Sequence, residues 1–123
     1  MRNPQKGEPL FSYDERKAMI EEAVAHCGNV RVTMFSALVV DLARDEGCDF
    51  IIKGLRAVSD FESEMHQAHM NHKISGVDTV FIPCATEHSF VASKLIREIA
   101  RFGGDVGEMV PTSVQKRLLE KFK

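Results

Sequence analysis

Two cations bracket a glycine at Lys53-Gly54-Leu55-Arg56, directly after the apolar run Phe50-Ile51-Ile52. Cations held where a short interior strand gives way to a helix suit an anion, and Gly54 lets backbone come close to a ligand. A second stretch of this character is His88-Ser89-Phe90-Val91-Ala92-Ser93-Lys94, which opens a helix. A helix N-terminus offers unpaired N–H groups and the positive end of the helix dipole, which favours phosphate; Ser93 and Lys94 add a hydroxyl and an ammonium. Each stretch also has a plainer reading. Lys53 and Arg56 are equally suited to ion pairs with carboxylates such as Asp60, and Ser93 to capping its helix. Phosphate binding at two strand ends therefore competes with pairing and capping.

The other reactive side chains say less. His66, His69 and His72 form H-x-x-H-x-x-H inside a helix. At about 100° per residue, His66 and His72 point roughly 120° apart, so the three do not converge on one metal. The i, i+4 pairing of helical zinc motifs is also absent. His26 lies at a helix end, where interaction with the last carbonyls suffices. Cys84 near His88 is too generic to define a Cys-His pair, and the Met and Phe positions suit core or subunit interface.

These residues must be positioned by the remaining chain, whose 123 residues suit a single domain. Sixteen Lys and Arg against eighteen Asp and Glu leave a net charge of −2, unlike the usual basic nucleic-acid binder. No run approaches the roughly 18 apolar residues of a membrane span, and "MRNPQKGEPLF" lacks a signal-peptide core. Cys27, Cys48 and Cys84 are odd in number and widely spaced, against a disulfide framework or a C-x-x-C knuckle. A reduced, cytoplasmic protein is expected.

Residues 1–11 read as loop, broken by Pro4, Gly7 and Pro9. Ser12 with Glu15 forms a capping box for a helix over 12–27, with Gly28 as its C-cap. "VRVTMF" (30–35) alternates as a strand, and Ser36 caps a helix through Ala43 that Gly47 ends. A second strand covers 48–53. A helix capped by Ser59 and Glu62 runs to about His72, and a third strand spans 78–83, stopped by Pro83. Helices over 92–102, closed by Gly103 and Gly104, and over 113–122, after Pro111-Thr112, complete the chain. Alternating strands and helices predict an α/β fold with a doubly wound parallel sheet. Such sheets bind ligands beyond the carboxyl ends of their strands, where both cation-bearing stretches fall. Three strands are few for five helices.

"KGLRAVSDFESEMHQAHMN" resembles the R-G-L-R-x-x-x-D-F-x-x-E-x-x-x-A-x-x-N signature of bacterial phosphopantetheine adenylyltransferases. "NPQKGEPLFSYDERKAMI" is similar to that family's N-P-x-K-x-x-x-F-x-x-x-E-R segment, and "AHCGNVRV", "HSFVASKLIREIARFGGDV" and "MVP" continue in register. The resemblance implies a Rossmann-like nucleotidyltransferase fold with a parallel sheet, and a homohexamer. It implies a Mg²⁺-dependent step of coenzyme A synthesis: ATP and 4′-phosphopantetheine give dephospho-coenzyme A and pyrophosphate. Coenzyme A is implied as a feedback ligand. No covalent enzyme intermediate is expected, so catalysis would be positioning plus charge stabilisation. By position, Lys6 matches a lysine near the attacking phosphate and triphosphate, Lys53 an arginine gripping the pantetheine-side phosphate, and Val39 a substrate contact. Gly54, Leu55, Arg56 and Glu64 match ATP contacts, as does the segment His88, Ser89, Phe90, Val91, Ala92, Ser93 and Lys94.

Departures from the family pattern are specific. Lys53 keeps the charge of arginine but loses its planar fork. Ala92 and Lys94 stand where many members have serine, and His88 where many have Trp or Tyr beside the adenine. The family's opening strand, its turn ending in Gly-His, and the next strand have no counterpart in these 123 residues. That histidine stabilises the pentavalent transition state, so no catalytic residue is assigned here. The expectation is a partial domain, short of the first two strands of a sheet ordered 3-2-1-4-5, unstable or aggregated alone and catalytically very weak. A catalytically deficient fragment or nucleotide-binding module is the alternative reading.

Overall fold

A capping box starts the first described helix. The structure, a computed structural model, describes residues 9–123, and of Val58 and Ser59 the backbone only. The Ser12 N–H donates to the Glu15 carboxylate at 2.6 Å and the Glu15 N–H to Ser12 Oγ at 3.2 Å, satisfying two otherwise orphaned donors. The helix α1 so launched spans Tyr13–Ala23 and ends on Val24, four residues before Gly28. Gly28 is therefore not its C-cap: the Val24 N–H already returns to Ile20 O at 3.0 Å. Lys6, like the breakers Pro4 and Gly7, lies outside the described residues.

Further elements follow in order: α2 Val39–Asp45, β1 Phe50–Leu55, α3 Val58–Ser75, β2 Asp78–Pro83, a 3-10 turn Thr86–His88, α4 Ser93–Arg101 and α5 Thr112–Lys121. The strand expected over 30–35 is absent, because no described segment pairs with it and alternation alone makes no ladder. Ser36 does not cap α2, whose N-cap is Leu38 with no side-chain hydrogen bond. Gly47, at φ +65, does end that helix in the left-handed conformation a side chain resists. Strand β1 begins and ends two residues later than expected, which draws Gly54 and Leu55 into the strand. Helix α3 starts from Ala57, so Ser59 falls inside the helix rather than at its N-cap position.

Strands β1 and β2 form a parallel pair from Phe50↔Asp78 to Leu55↔Pro83, and the Cys84 N–H continues the ladder to Leu55 O at 2.8 Å. This βαβ unit, with α3 as crossover, is a mixed α/β arrangement with a parallel sheet, as the alternation of strands and helices predicts. The chain divides into two compact units, residues 35–90 and the remainder. In the first, Ile51, Lys53 and Leu55 of β1 are half-buried together with Thr79 and Phe81 of β2, and Phe61 of α3 meets Phe81 edge-on at 5.8 Å. The opposite sheet face, Phe50, Ile52, Val80 and Ile82, is 42–57% exposed.

In the other unit, Ile96 and Ala100 of α4 and Leu118 of α5 form the core with Val106 of the intervening segment, and Phe11, Val91 and Met109 pack against it. Arg117 clamps Glu22 through two bonds of 2.5 and 3.2 Å, and Lys121 reaches Glu15 at 3.3 Å, tying α5 to α1. The Arg117 hydrogen bond holds the Glu22 carboxyl below the usual carboxylate range and raises Arg117 in turn. Glu15 is lowered likewise, chiefly by the Ser12 backbone N–H and then by Lys121.

Candidate functional site

Pleating decides where Lys53 goes. Its neighbours Ile52 and Gly54 are exposed, while Lys53 itself is half-buried on the face that α3 covers. There its ammonium lies 3.2 Å from Glu64 Oε2 and donates to Gln67 Oε1 at 3.1 Å. Glu64 Oε2 is sealed from solvent without a hydrogen-bond partner, so its contact with Lys53 is ionic rather than a well-aligned hydrogen bond. Both side chains are about one-third exposed, and such a pair contributes on the order of 1 kcal/mol or less. Stability alone is a weak reason for this arrangement.

Arg56 follows β1 in the connection to α3, with its guanidinium 3.9 Å from Asp60. Both cations of the Lys-Gly-Leu-Arg stretch therefore have carboxylate neighbours. The plain pairing role and the ligand role fall on the same side chains, since Lys53 and Arg56 stand in the second half of β1 and just beyond its carboxyl end. Gly54 and Leu55 lie within β1, opposite Ile82 and Pro83.

The second stretch divides between the units. His88 ends the 3-10 turn with Nε2 3.6 Å from Glu87 Oε1, too long for a hydrogen bond. The Ser89 hydroxyl is occupied locally, donating to Thr86 O at 2.8 Å, and Phe90 is exposed. Val91, Ala92, Ser93 and Lys94 belong to the other unit. The N-cap of α4 is Ala92, which makes no side-chain cap bond; Ser93 is the first helical residue and not the cap. The Ser93 carbonyl accepts from Arg97 Nε at 3.1 Å, and Lys94 is exposed. Val39, half-buried, is the first residue of α2.

Of the residues singled out in sequence, then, Lys53 and Glu64 meet directly, and Arg56 meets Asp60. Gln67 was not singled out. Its signal is helical spacing: Glu64 and Gln67 are three apart, and Asp60, Glu64 and Asn71 put polar side chains on half-buried positions of α3. Among the histidines, His72 Nδ1 lies 2.9 Å from Asp78 Oδ1. Among the described residues no group of three His, Cys, Asp or Glu side chains is placed to hold a metal ion, and no helix is long and apolar enough to cross a membrane. A groove of about 630 Å³ in the other unit, lined by Glu22, Ser113, Lys116 and Arg117 among others, contains none of the expected site residues.

Known proteins give this geometry a context. Residues 1–99 match the cytidylyltransferase-like family. A protein from Heliobacterium modesticaldum called phosphopantetheine adenylyltransferase is 48% identical over 121 residues, covering 98% of this chain and 71% of that relative.

Proposed function

The chain belongs to the phosphopantetheine adenylyltransferases, and from that premise we propose that it takes part in adenylyl transfer from ATP to 4′-phosphopantetheine, giving dephospho-coenzyme A and pyrophosphate. The observation that carries the reading is 48% identity over 98% of the chain, which takes in the whole Lys53–Glu64 region. A 4′-phosphate oxygen attacks the α-phosphorus of ATP. One P–O bond forms, the α–β bridge breaks, and its electron pair leaves on pyrophosphate. Nothing in that step needs a covalent link to protein; it needs two polyanions held in line.

The roles divide accordingly. Lys6 serves the attacking phosphate and triphosphate, Lys53 grips the pantetheine-side phosphate, and Val39 contacts that substrate. ATP is assigned to Gly54, Leu55, Arg56 and Glu64, and separately to the segment from His88 to Lys94. Glu64, whose Oε2 is sealed against the Lys53 ammonium, couples the ATP-side assignment to the residue read as gripping the 4′-phosphate. Mg²⁺ is proposed as part of the nucleotide substrate, carried on its phosphates, as is usual where protein ligands are few. A homohexamer, and coenzyme A as a feedback ligand, are further proposals, checked by sedimentation velocity and by competition of coenzyme A with ATP.

Calorimetry with ATP and with 4′-phosphopantetheine, followed by a pyrophosphate-release assay with both present, tests the reading. Binding of both with substrate-dependent release supports transfer. Binding without release supports the nucleotide-binding alternative. Absence of both overturns the proposal.

A further inference from the structure

We infer that Gln67 is a positioning residue for the substrate phosphate: with Glu64 it holds the Lys53 ammonium and leaves N–H groups of that ammonium for the phosphate. The inference rests on the reading of Lys53 as the residue that grips the 4′-phosphate.

An ammonium has three donors and no acceptor. Here Gln67 Oε1 takes one at 3.1 Å, and Glu64 Oε2 sits against the same nitrogen at 3.2 Å. Both partners stand on α3, one turn apart, and meet Lys53 of β1. The grip is therefore built from two elements that pack on one another and does not depend on a loop. Lysine needs such a grip more than arginine does, because its charge rides on a flexible four-carbon stem without a rigid fork. The two acceptors are also unequal. Glu64 fixes the ammonium but offsets its charge, so an incoming phosphate competes with the carboxylate. Gln67 is neutral and orients the same nitrogen without subtracting charge. A solvent-facing glutamine with a purely structural role would stabilise the helix and leave ligand preference untouched.

The test is calorimetry of the 123-residue chain with 4′-phosphopantetheine and, in parallel, with pantetheine, which lacks the phosphate. Gln67→Leu is expected to weaken 4′-phosphopantetheine about fivefold, through loss of orientation of the ammonium, with pantetheine unchanged. Gln67→Glu, which keeps the shape but adds a second carboxylate, is expected to weaken the phosphorylated ligand further. In the Gln67→Leu background, Lys53→Arg is expected to restore affinity to within about twofold, because the guanidinium fork orients itself. Lys53→Met is expected to abolish the preference for the phosphorylated ligand. Equal losses for both ligands in the Gln67 variants, or no loss, overturn the inference while leaving Lys53 in place. A wild-type chain without phosphate preference, or a Lys53→Met chain that keeps it, overturns the Lys53 reading and the inference with it.

Discussion

Under the proposed assignment of Arg56 to ATP, its neighbour Asp60 at 3.9 Å sets a carboxylate beside the residue that the triphosphate would meet. At that separation the carboxylate is an ionic neighbour of the guanidinium just beyond the end of β1. Arg56→Ala is expected to weaken ATP about tenfold, as for loss of a charge-assisted hydrogen bond, with 4′-phosphopantetheine much less affected. Asp60→Asn removes the competing carboxylate and is expected to tighten ATP by about twofold to threefold. Calorimetric titration reads both, and a weaker Asp60→Asn complex would place Asp60 among the ligand contacts instead. The Glu22–Arg117 clamp is the opposite case, short and bidentate, and its purpose is stability. Because the folded Glu22 carboxyl is lowered, its contribution is fully present above the ordinary glutamate pKa of roughly 4.3 and is lost as pH falls through the folded value. Glu22→Gln is thus expected to melt below the wild type at neutral pH, the gap closing in acid. A gap of constant size between pH 7 and pH 3 would assign the effect to packing rather than charge.

Helix ends show which elements were legible in sequence and which were not. The Ser12–Glu15 box and the Gly103-Gly104 stop carry their own chemistry, and both stand where the residues put them. At the latter, the Gly104 N–H returns to Ile99 O at 2.9 Å and the Gly103 N–H to Ala100 O at 3.1 Å, with Gly103 at φ +77. This is the Schellman arrangement, and only glycine enters that conformation without a penalty. Gly103→Ala is expected to cost about 1–2 kcal/mol by chemical denaturation, with little effect on ligand binding. Strand 78–83 was legible for a similar reason: its apolar run is bounded by Pro83. "VRVTMF" was not, because a strand exists through its partner and alternation says nothing about whether one is there. Ser36 and Ser59 misled differently. The polar residue and its spacing fit a cap, but α2 and α3 start at Val39 and Val58, from Leu38 and Ala57. The candidate site followed the same rule. Lys53, Arg56 and Glu64 were legible as a motif, whereas Gln67 became visible only once β1 and α3 were in register.

At the scale of the whole chain, burial is uneven between the two faces of the parallel pair. Parallel strands are normally covered on both faces, and apolar patches left open favour association. On the α3 side, Leu55, Ile51 and Phe81 are covered. On the other side Ile52 and Ile82 are 57% and 50% exposed, flanked by Phe50 and Val80, so a contiguous apolar strip runs the length of the pair. About half of its surface stays in water, and an open apolar strip of this kind favours self-association. The double substitution Ile52→Thr with Ile82→Thr retains β-branching and hence strand propensity, but removes much of the apolar character. The substituted chain is expected to stay monodisperse at concentrations where the wild type associates, and to bind less of a hydrophobic dye. Its thermal midpoint is expected to change little, because surface exchanges of this kind fall within roughly 0.5 kcal/mol. Lys53, Glu64 and Gln67 occupy the opposite face, so affinity for 4′-phosphopantetheine is expected to survive. Sedimentation velocity on both chains decides the matter. Equal association would mean that the strip is not the adhesive surface, whereas loss of the folded state would mean that it is covered and contributes to a core.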